Sequence, residues 1–223
     1  MDDGLKRKIA AGLAALGASA GILVSFIARN EGAGPYKIIN GQKIYIAYPD
    51  PGKGWALPTI CKGHTRDVTR ETTATAQQCE AWLQEDLAIA TADTLHCMKR
   101  TDEPGPLRAM VDLQYNSGGA CQSQAARHYN AGNCAAAAWE LFGAPQLDAN
   151  GRPKIWDGTR IMSGRPVRLD TPLTINGRVL LRVGQPIPKW TTGGGLPLPG
   201  LFLRAEARAK WMLQGCTQPK GPK

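Results

Sequence analysis

Residues 22–32 read ILVSFIARNEG, and they join an uncharged segment to a carboxylate. The apolar run ends at Ala28, and Glu31 follows three residues later, directly before a glycine. Such a carboxylate either belongs to the charge pattern around a membrane segment or is a chemical group presented at the end of a helix. The sequence on both sides of this stretch bears on the choice.

The segment before this carboxylate is long enough to span a bilayer as a helix. Residues 9–28 carry no charge, and twenty helical residues match the hydrocarbon core. Basic residues at positions 6–8 predict a cytoplasmic N-terminus and export of the remainder. Residues 1–28 are therefore predicted to be a signal-anchor without a good cleavage site, and residues 29–223 to be the folded domain.

The predicted anchor is weak, because twelve of its twenty residues are Ala, Gly or Ser. Such a segment gains little free energy on insertion into lipid. It is either a permanent anchor with an active domain outside, or a segment that later leaves the bilayer and packs as a helix on the protein. Its content of small residues favours the second alternative.

The net charge and the cysteines indicate what the exported part binds and whether it contains disulfides. The formal net charge of +9 predicts an anionic partner, and the lack of a dense Lys/Arg block with interleaved aromatics argues against nucleic acid. An even number of cysteines suits disulfides in an exported protein, whereas a cytosolic protein would keep them as buried thiols. They lie at positions 61, 79, 97, 121, 134 and 216, without the spacing of a zinc site. Positions 121 and 134 are close enough to predict a local disulfide.

The pattern after residue 32 predicts an α+β fold with two lobes. Asn40-Gly41 between two β-prone runs predicts a hairpin. PDPGKGWALP (49–58) is predicted to be a loop and TICKGHT (59–65) a short strand. Together they predict a small β lobe over about 33–70.

The second lobe, over about 75–216, is predicted to be mainly helical. Thr75 and Gln78 have capping-box spacing ahead of a helix of about twenty residues. Further helices are predicted over 106–119, 123–142 and 200–215. Two Asn-Gly pairs predict β-hairpins in an insertion over about 145–190, at positions 150–151 and 176–177.

Glu31, Asp50 and Thr59 are the candidates for chemistry. A carboxyl group at the mouth of a cleft between two lobes can act as a general acid. A second, better solvated carboxylate across the cleft can orient water, which is the two-carboxylate logic of glycoside hydrolysis. A Glu and an Asp nineteen residues apart are more often two surface residues, so spacing alone leaves both interpretations open.

A resemblance to a known family implies a role for each of these three residues. FIARNEG (26–32), AYPDPG (47–52) and TICKGHT (59–65) together resemble the N-terminal signature of phage-type lysozymes, the glycoside hydrolase family 24 endolysins. The resemblance implies that Glu31 is the general acid, Asp50 the second carboxylate, and Thr59 the residue that helps to place the attacking water. Both spacings are longer than is usual in that family, and the extra residues fit the predicted hairpin and loop.

The resemblance extends along the chain. CEAWLQEDL (79–87) is similar to a long helix of the family, which implies a structural pair between Asp86 and His64. LQYNSG (113–118) and LPGLFLRAEARAKWML (198–213) resemble two later motifs.

Cys61 and His64 suggest a different chemistry, a thiol nucleophile with a histidine base. On a strand, two residues three apart point to opposite faces. A disulfide for Cys61 and a structural role for His64 are therefore favoured.

The resemblance implies a lysozyme-like muramidase, which hydrolyses the β-1,4 bond between N-acetylmuramic acid and N-acetylglucosamine in peptidoglycan and so lyses the host cell. It implies no metal and no organic cofactor. The expected partners are peptidoglycan and, through the N-terminal segment, the inner membrane; no nucleic acid is expected, and the protein is expected to be a monomer. In particular, the chain resembles signal-anchor-release endolysins, which are first held in the host inner membrane with a cytoplasmic N-terminus and then released to the periplasm. The alternatives are a lytic transglycosylase that uses Glu31 alone and a non-enzymatic, membrane-tethered wall-binding protein.

Overall fold

The chain folds into two compact units, Met1–Gln122 and Ser123–Lys223. The computed structural model describes residues 20–50, 53–99, 104–162 and 165–214, together with a few isolated positions before residue 20. These residues form six α-helices and eleven short strands. Helices and antiparallel strands occur in both units, so the predicted α+β class is confirmed.

Three of the described helices belong to the first unit: α1 (Ala20–Glu31), α2 (Ala76–Leu95) and α3 (Pro104–Ser117). The predicted capping box starts α2, since the Gln78 N–H donates to Thr75 Oγ1 and the Thr75 N–H donates to Gln78 Oε1. Helix α3 begins two residues before its predicted start, because the first turn of a helix accepts proline. Gly118 follows its last residue at a φ of 67° and ends the helix as predicted.

Helix α1 packs against α2 and α3. Leu23 and Ile27, four residues apart on one face, are completely buried. Helix α1 contains residues 20–28 of the predicted anchor, and most of residues 9–19 lie outside the described part of the chain. Within the described ranges, no helix combines the length and the apolar character needed to cross a membrane.

The β lobe of the first unit consists of two small antiparallel sheets. Its strands are β1 (Tyr36–Ile39), β2 (Gln42–Ile46), β3 (Tyr48–Asp50), β4 (Gly54–Thr59) and β5 (Thr73–Thr75). One sheet has the order β1-β2-β5, and β3 pairs with β4 in the other. Asn40 and Gly41 join β1 to β2 with φ angles of 50° and 76°, so the predicted Asn-Gly hairpin is confirmed.

Residues 49–65 differ from the prediction of a loop followed by a strand. Strand β4 lies within the segment predicted to be a loop, and TICKGHT folds back on itself after its first residues. The backbones of Ile60 and His64 exchange two hydrogen bonds, of 2.9 and 3.0 Å, across the turn between them. Positive φ angles at Cys61 (57°) and Gly63 (89°) produce this turn. The argument that Cys61 and His64 lie on opposite faces of a strand was therefore wrong.

The observed disulfides join cysteines that the folded structure brings close together. Cys61 is bonded to Cys79, so the preference for a disulfide over a nucleophile at Cys61 is confirmed. Cys97 is bonded to Cys121, with 5.4 Å between their Cα atoms, and the predicted local bridge between Cys121 and Cys134 is wrong. Proximity in the fold decided the pairing, not proximity in sequence. Cys134 is also disulfide-bonded.

The second unit contains three helices and a π-helical turn. They are α4 (Gln124–Asn130), α5 (Cys134–Ala138), the π-helical turn Trp139–Gly143 and α6 (Pro199–Gln214). Short helices over 123–142 and a closing amphipathic helix were predicted, and both are confirmed. The predicted stop of the closing helix, Gly215, lies outside the described residues.

The insertion over 145–190 is β-rich, as predicted. Its strands and those that follow are β6 (Thr159–Met162), β7 (Arg165–Arg168), β8 (Leu173–Ile175), β9 (Arg178–Leu181), β10 (Thr192–Gly193) and β11 (Leu196–Pro197), which pair as three hairpins. The predicted turn at 176–177 joins β8 to β9, whereas the pair at 150–151 closes only an isolated bridge between Leu147 and Pro153. The hairpin β6–β7 was not predicted.

The insertion has its own hydrophobic core, which includes a residue of α6. The buried members of this core are Trp156, Leu173, Leu181, Ile187 and Phe202. The Trp156 indole N–H donates to Thr159 O at 3.2 Å, so the polar atom of the largest buried side chain has a partner. Arg178 on β9 also forms a salt bridge of 2.9 Å with Glu206 on α6. These contacts fix the insertion to the closing helix.

Candidate active site

Glu31 is the last residue of α1, and its half-buried carboxylate touches the turn that follows β4. A Cβ atom placed on Gly63 would lie 3.4 Å from Glu31 Oε2, so the carboxylate lies directly beside this glycine. After Glu31 the chain leaves the helix through Gly32, whose φ of 69° is typical of the residue that follows a helix C-terminus. A carboxylate is thus held between a helix end and a turn.

Covalent and polar contacts tie this turn to two helices. The disulfide between Cys61 and Cys79 joins it to the first turn of α2. Lys62 Nζ lies 2.8 Å from Glu80 Oε2 on the same helix. The Tyr115 hydroxyl of α3 donates to Lys62 O at 2.6 Å. The surface that Glu31 touches is therefore fastened from both sides.

His64 and Asp86, predicted to form a structural pair, are in contact. His64 Nδ1 lies 2.7 Å from Asp86 Oδ2, and the imidazole stacks on Trp82 with 4.6 Å between ring centroids. Arg66 adds bonds of 2.6 Å to Asp86 and 3.0 Å to Glu85. His64 is only 6% exposed, so these contacts hold the turn on α2 rather than present the imidazole to a ligand.

Asp50 ends β3 and is half-buried. Its Oδ1 accepts a 2.8 Å hydrogen bond from the Lys53 N–H, which closes the turn between β3 and β4. The strand register shifts between Pro49 and Asp50. Because of this irregularity, the direction of the Asp50 side chain does not follow from simple alternation along the strand.

Tyr48 is a further residue on which both carboxylates act, and the sequence analysis gave it no role. Burial raises the pKa of the Tyr48 phenol above its usual range, and the negative charges of Glu31 and Asp50 raise this pKa further. The only signal in the sequence was a tyrosine two residues before Asp50, which is too common to identify a site.

Thr59 lies directly opposite Tyr48 in the β3–β4 ladder. It is 4% exposed, and its hydroxyl donates to Leu57 O at 3.2 Å. Thr59 therefore lies beside Tyr48, on the same face of this ladder. Its hydroxyl can still accept a hydrogen bond, but its proton is used within the strand.

A pocket of about 250 Å³ is lined in part by Gly63 and Tyr115, next to the Glu31 carboxylate, but not by Glu31, Asp50, Thr59 or Tyr48 themselves. The rest of its lining is largely polar and comprises Thr65, Arg66, Asp86, Ile89, Ala90, Asp93 and Gln114. Such a lining can form hydrogen bonds with the hydroxyl groups of a sugar. Among the described residues, no group of three or more His, Cys, Asp or Glu side chains is placed to hold a metal ion.

The family model for phage lysozyme matches residues 42–154, just over half of the chain. The chain belongs to the phage lysozyme family. The matched range contains four of the five predicted site residues and begins after Glu31. None of the curated proteins compared with the chain matches it significantly.

Two solved structures, a phage endolysin and a muramidase domain, share the fold. The active form of P1 phage endolysin Lyz matches with a TM-score of 0.53 and 16% identity over 96% of this chain and 95% of that one. The muramidase domain of SpmX from Asticaccaulis excentricus matches with a TM-score of 0.51 and 16% identity over 86% and 95%. An endolysin from Escherichia coli O157:H7 phage FAHEc1 is 20% identical over 89% and 94%, with a TM-score of 0.47.

The predicted family and lysozyme-like fold are therefore confirmed. Together they support a peptidoglycan-cleaving enzyme, which is the coarse form of the predicted function.

Proposed function

We propose that this protein is a muramidase that hydrolyses the β-1,4 bond between N-acetylmuramic acid and N-acetylglucosamine in peptidoglycan and thereby lyses a host cell. The observation that carries the proposal is the position of the Glu31 carboxylate at the end of α1, beside Gly63, in a chain of the phage lysozyme family. The charges of Glu31 and Asp50, from a helix end and from a strand of the β lobe, both raise the pKa of the Tyr48 phenol. Two carboxylates around one site are what glycoside hydrolysis requires.

The proposed roles are those that the resemblance to phage-type lysozymes implies. Glu31 gives its proton to the glycosidic oxygen as the bond from that oxygen to the anomeric carbon breaks. Asp50 accepts a proton from water, whose oxygen attacks the anomeric carbon from the opposite face, and Thr59 helps to place this water. The products are two shorter glycan strands, with inverted configuration at the new reducing end. No metal or organic cofactor takes part in these steps.

The basic charge supports an anionic wall as the partner. Residues 145–190 contain eight Lys or Arg and three Asp or Glu, a net +5 of the chain's +9. Peptidoglycan carries carboxylates on its peptide stems, and such a surface attracts it through a salt-dependent field. Binding of the intact protein to purified sacculi should therefore weaken as sodium chloride is raised from about 50 to 500 mM. Binding that does not change with salt would argue against this contribution.

The proposed localisation is the host inner membrane first, with a cytoplasmic N-terminus, and then the periplasm, where the protein acts as a monomer. The burial of Leu23 and Ile27 against the folded unit supports this sequence of events, because a helix in lipid cannot make these contacts. Glu31 would reach its position beside Gly63 only after the segment leaves the membrane. Replacing small residues of 9–19 with leucine should strengthen insertion and keep the protein in the membrane fraction of spheroplasts. A soluble periplasmic location for such a variant would contradict the proposal.

The test of the reaction is clearance of purified peptidoglycan, with the products analysed by mass spectrometry. Glu31→Gln and Asp50→Asn should each reduce clearance at least about a hundredfold, the scale of general acid–base catalysis. Glu71→Gln, an exposed carboxylate in the same lobe, should clear peptidoglycan at the parent rate. The parent should release reducing muramic acid ends.

Other outcomes identify the alternatives. Anhydro products with an active Asp50→Asn variant would indicate a lytic transglycosylase that uses Glu31 alone. Wall binding without cleavage, unchanged in Glu31→Gln, would indicate a wall-binding protein that is not an enzyme.

A further inference from the structure

We propose that the Tyr48 hydroxyl donates the hydrogen bond that positions the attacking water between Asp50 and Thr59. The inference rests on the proposed hydrolysis and adds a residue to which the sequence analysis gave no role. It is carried by the strand register, the state of the Thr59 hydroxyl and the surroundings of the Tyr48 ring.

Thr59 lacks an available donor. Its hydroxyl proton is directed to Leu57 O at 3.2 Å, so towards a water molecule Thr59 can only accept. Asp50, when ionised, can also only accept. A water molecule held by these two groups gives both of its protons to them. Neither Asp50 nor Thr59 donates a hydrogen bond to the water oxygen, so neither fixes the direction of its lone pairs.

Tyr48 is placed to supply the missing donor. It lies directly opposite Thr59 in the ladder, and side chains of a directly opposed pair lie on the same face of a sheet. Tyr48 is half-buried, whereas Thr59 is 4% exposed, so the tyrosine is the more exposed residue of the pair. Within the described part of the chain, no hydrogen bond engages the Tyr48 hydroxyl.

The ring of Tyr48 is held while its hydroxyl stays available. A Cβ atom on Gly34 would lie 3.2 Å from Tyr48 Cε1 and 2.8 Å from Cys61 O, so the ring packs against a position that only glycine can occupy. Gly34 is three residues after Glu31, and Asp50 is two residues after Tyr48. The same short segments therefore locate the ring and both carboxylates.

The charges keep this hydroxyl in its donating form. Burial, Glu31 and Asp50 all raise the pKa of the phenol, so Tyr48 stays protonated over the pH range in which a carboxylate pair works. A neutral phenol donates one hydrogen bond to one lone pair of the water, and the other lone pair points to the anomeric carbon. When the new carbon–oxygen bond forms, the water proton passes to Asp50, and Tyr48 keeps its own proton.

The experiment compares Tyr48→Phe with the parent in peptidoglycan cleavage and in product analysis. Removing the hydroxyl should lower kcat about tenfold to a hundredfold, the size expected for one hydrogen bond made in the transition state, with KM changed less than about threefold. A poorly held water competes less well with the 6-hydroxyl of muramic acid, so the fraction of anhydro product should rise. Tyr36→Phe, on the exposed edge strand, is the matched control and should behave like the parent.

The outcomes separate this inference from the proposed function. Parent-like kcat and products in Tyr48→Phe, from a parent that makes reducing ends, would overturn the role of Tyr48 and leave the hydrolase. A lower kcat with an unchanged product ratio and a lower melting temperature would show a structural residue, which also overturns it. A parent that makes only anhydro product would overturn both.

Discussion

Removal of the Cys61–Cys79 disulfide should have two separable effects, on the unfolded chain and on the site. The bridge joins residues 18 apart. Closing a loop of n residues changes the entropy of the unfolded chain by −2.1 − 1.5R ln n cal/mol/K. For about 18 residues, this entropy loss corresponds to about 3 kcal/mol of free energy at 25 °C. Cys61→Ala/Cys79→Ala should therefore lose about 3 kcal/mol of free energy of unfolding. Both residues are buried, at 1% and 5% exposure, so lost packing adds to this figure.

The second bridge, Cys97–Cys121, provides a matched control. It joins residues 24 apart, and the same relation gives a loss within about 0.3 kcal/mol of the first. Cys97 lies two residues beyond the other end of α2, which is about 24 Å along the helix from Cys79 at 1.5 Å per residue. Its removal should therefore leave Glu31 in position.

The two double variants should lose nearly the same loop-closure contribution to stability but be unequally active. Loss of the bridge at Cys61 loosens the turn that Glu31 touches, and misplacement by about 1 Å can cost a hundredfold in rate. We expect at least a tenfold loss of peptidoglycan clearance for Cys61→Ala/Cys79→Ala, and less than about threefold for the control. Stability is measured by urea unfolding, and activity at a temperature at which both variants are folded. Equal losses of activity would refute the claim that this turn positions Glu31, and a stability loss below about 1 kcal/mol would refute the loop-closure argument.

Three further changes test other parts of the fold. Glu206→Gln should cost about 0.5–1 kcal/mol at pH 7, because the hydrogen bond from Arg178 holds the Glu206 pKa below its usual range. The free energy that ionised Glu206 contributes to folding is fully present above the pKa of an unfolded glutamate, about 4.3, and is lost as the pH falls through the lower pKa of Glu206 in the folded protein. The unfolding curves of variant and parent should therefore converge near pH 3. Gly63→Ala should lose about 1–2 kcal/mol in thermal unfolding, because φ is 89° there, and should lower activity through the contact with Glu31; full activity would contradict that contact. Thr75→Ala should lose about 1 kcal/mol in urea unfolding without a change in kcat, and an unchanged stability would show that the capping box is not needed.

Local signals in the sequence predicted local structure well. The Asn40-Gly41 turn requires two positive φ angles, which these residue types accept, so the hairpin follows from neighbouring residues alone. The capping box of Thr75 and Gln78 is likewise complete within four residues. The family motifs also lie in short stretches, and the lysozyme-like fold could therefore be predicted from the sequence.

The errors occurred where distant contacts override local preference. TICKGHT has the composition of a strand, yet Cys61 adopts a positive φ and turns the chain back. The turn is held by a disulfide to Cys79 and by the pair of His64 with Asp86, both far away in sequence. The Cys121 pairing failed for the same reason, since the nearer cysteine in sequence was not the nearer one in space.

The sequence by itself determined the capping box of α2 and the Asn-Gly turns at 40–41 and 176–177, and its short motifs supplied the candidates Glu31, Asp50 and Thr59, because each depends on residue types within a few positions. Only the tertiary structure brought Tyr48 into the neighbourhood of both carboxylates. It also decided that the Thr59 proton is used within its own strand. The physical reason is that hydrogen bonds and electrostatic interactions act over a few ångströms in space. Residues separated by many positions come within that distance only when the helices and strands that carry them have packed.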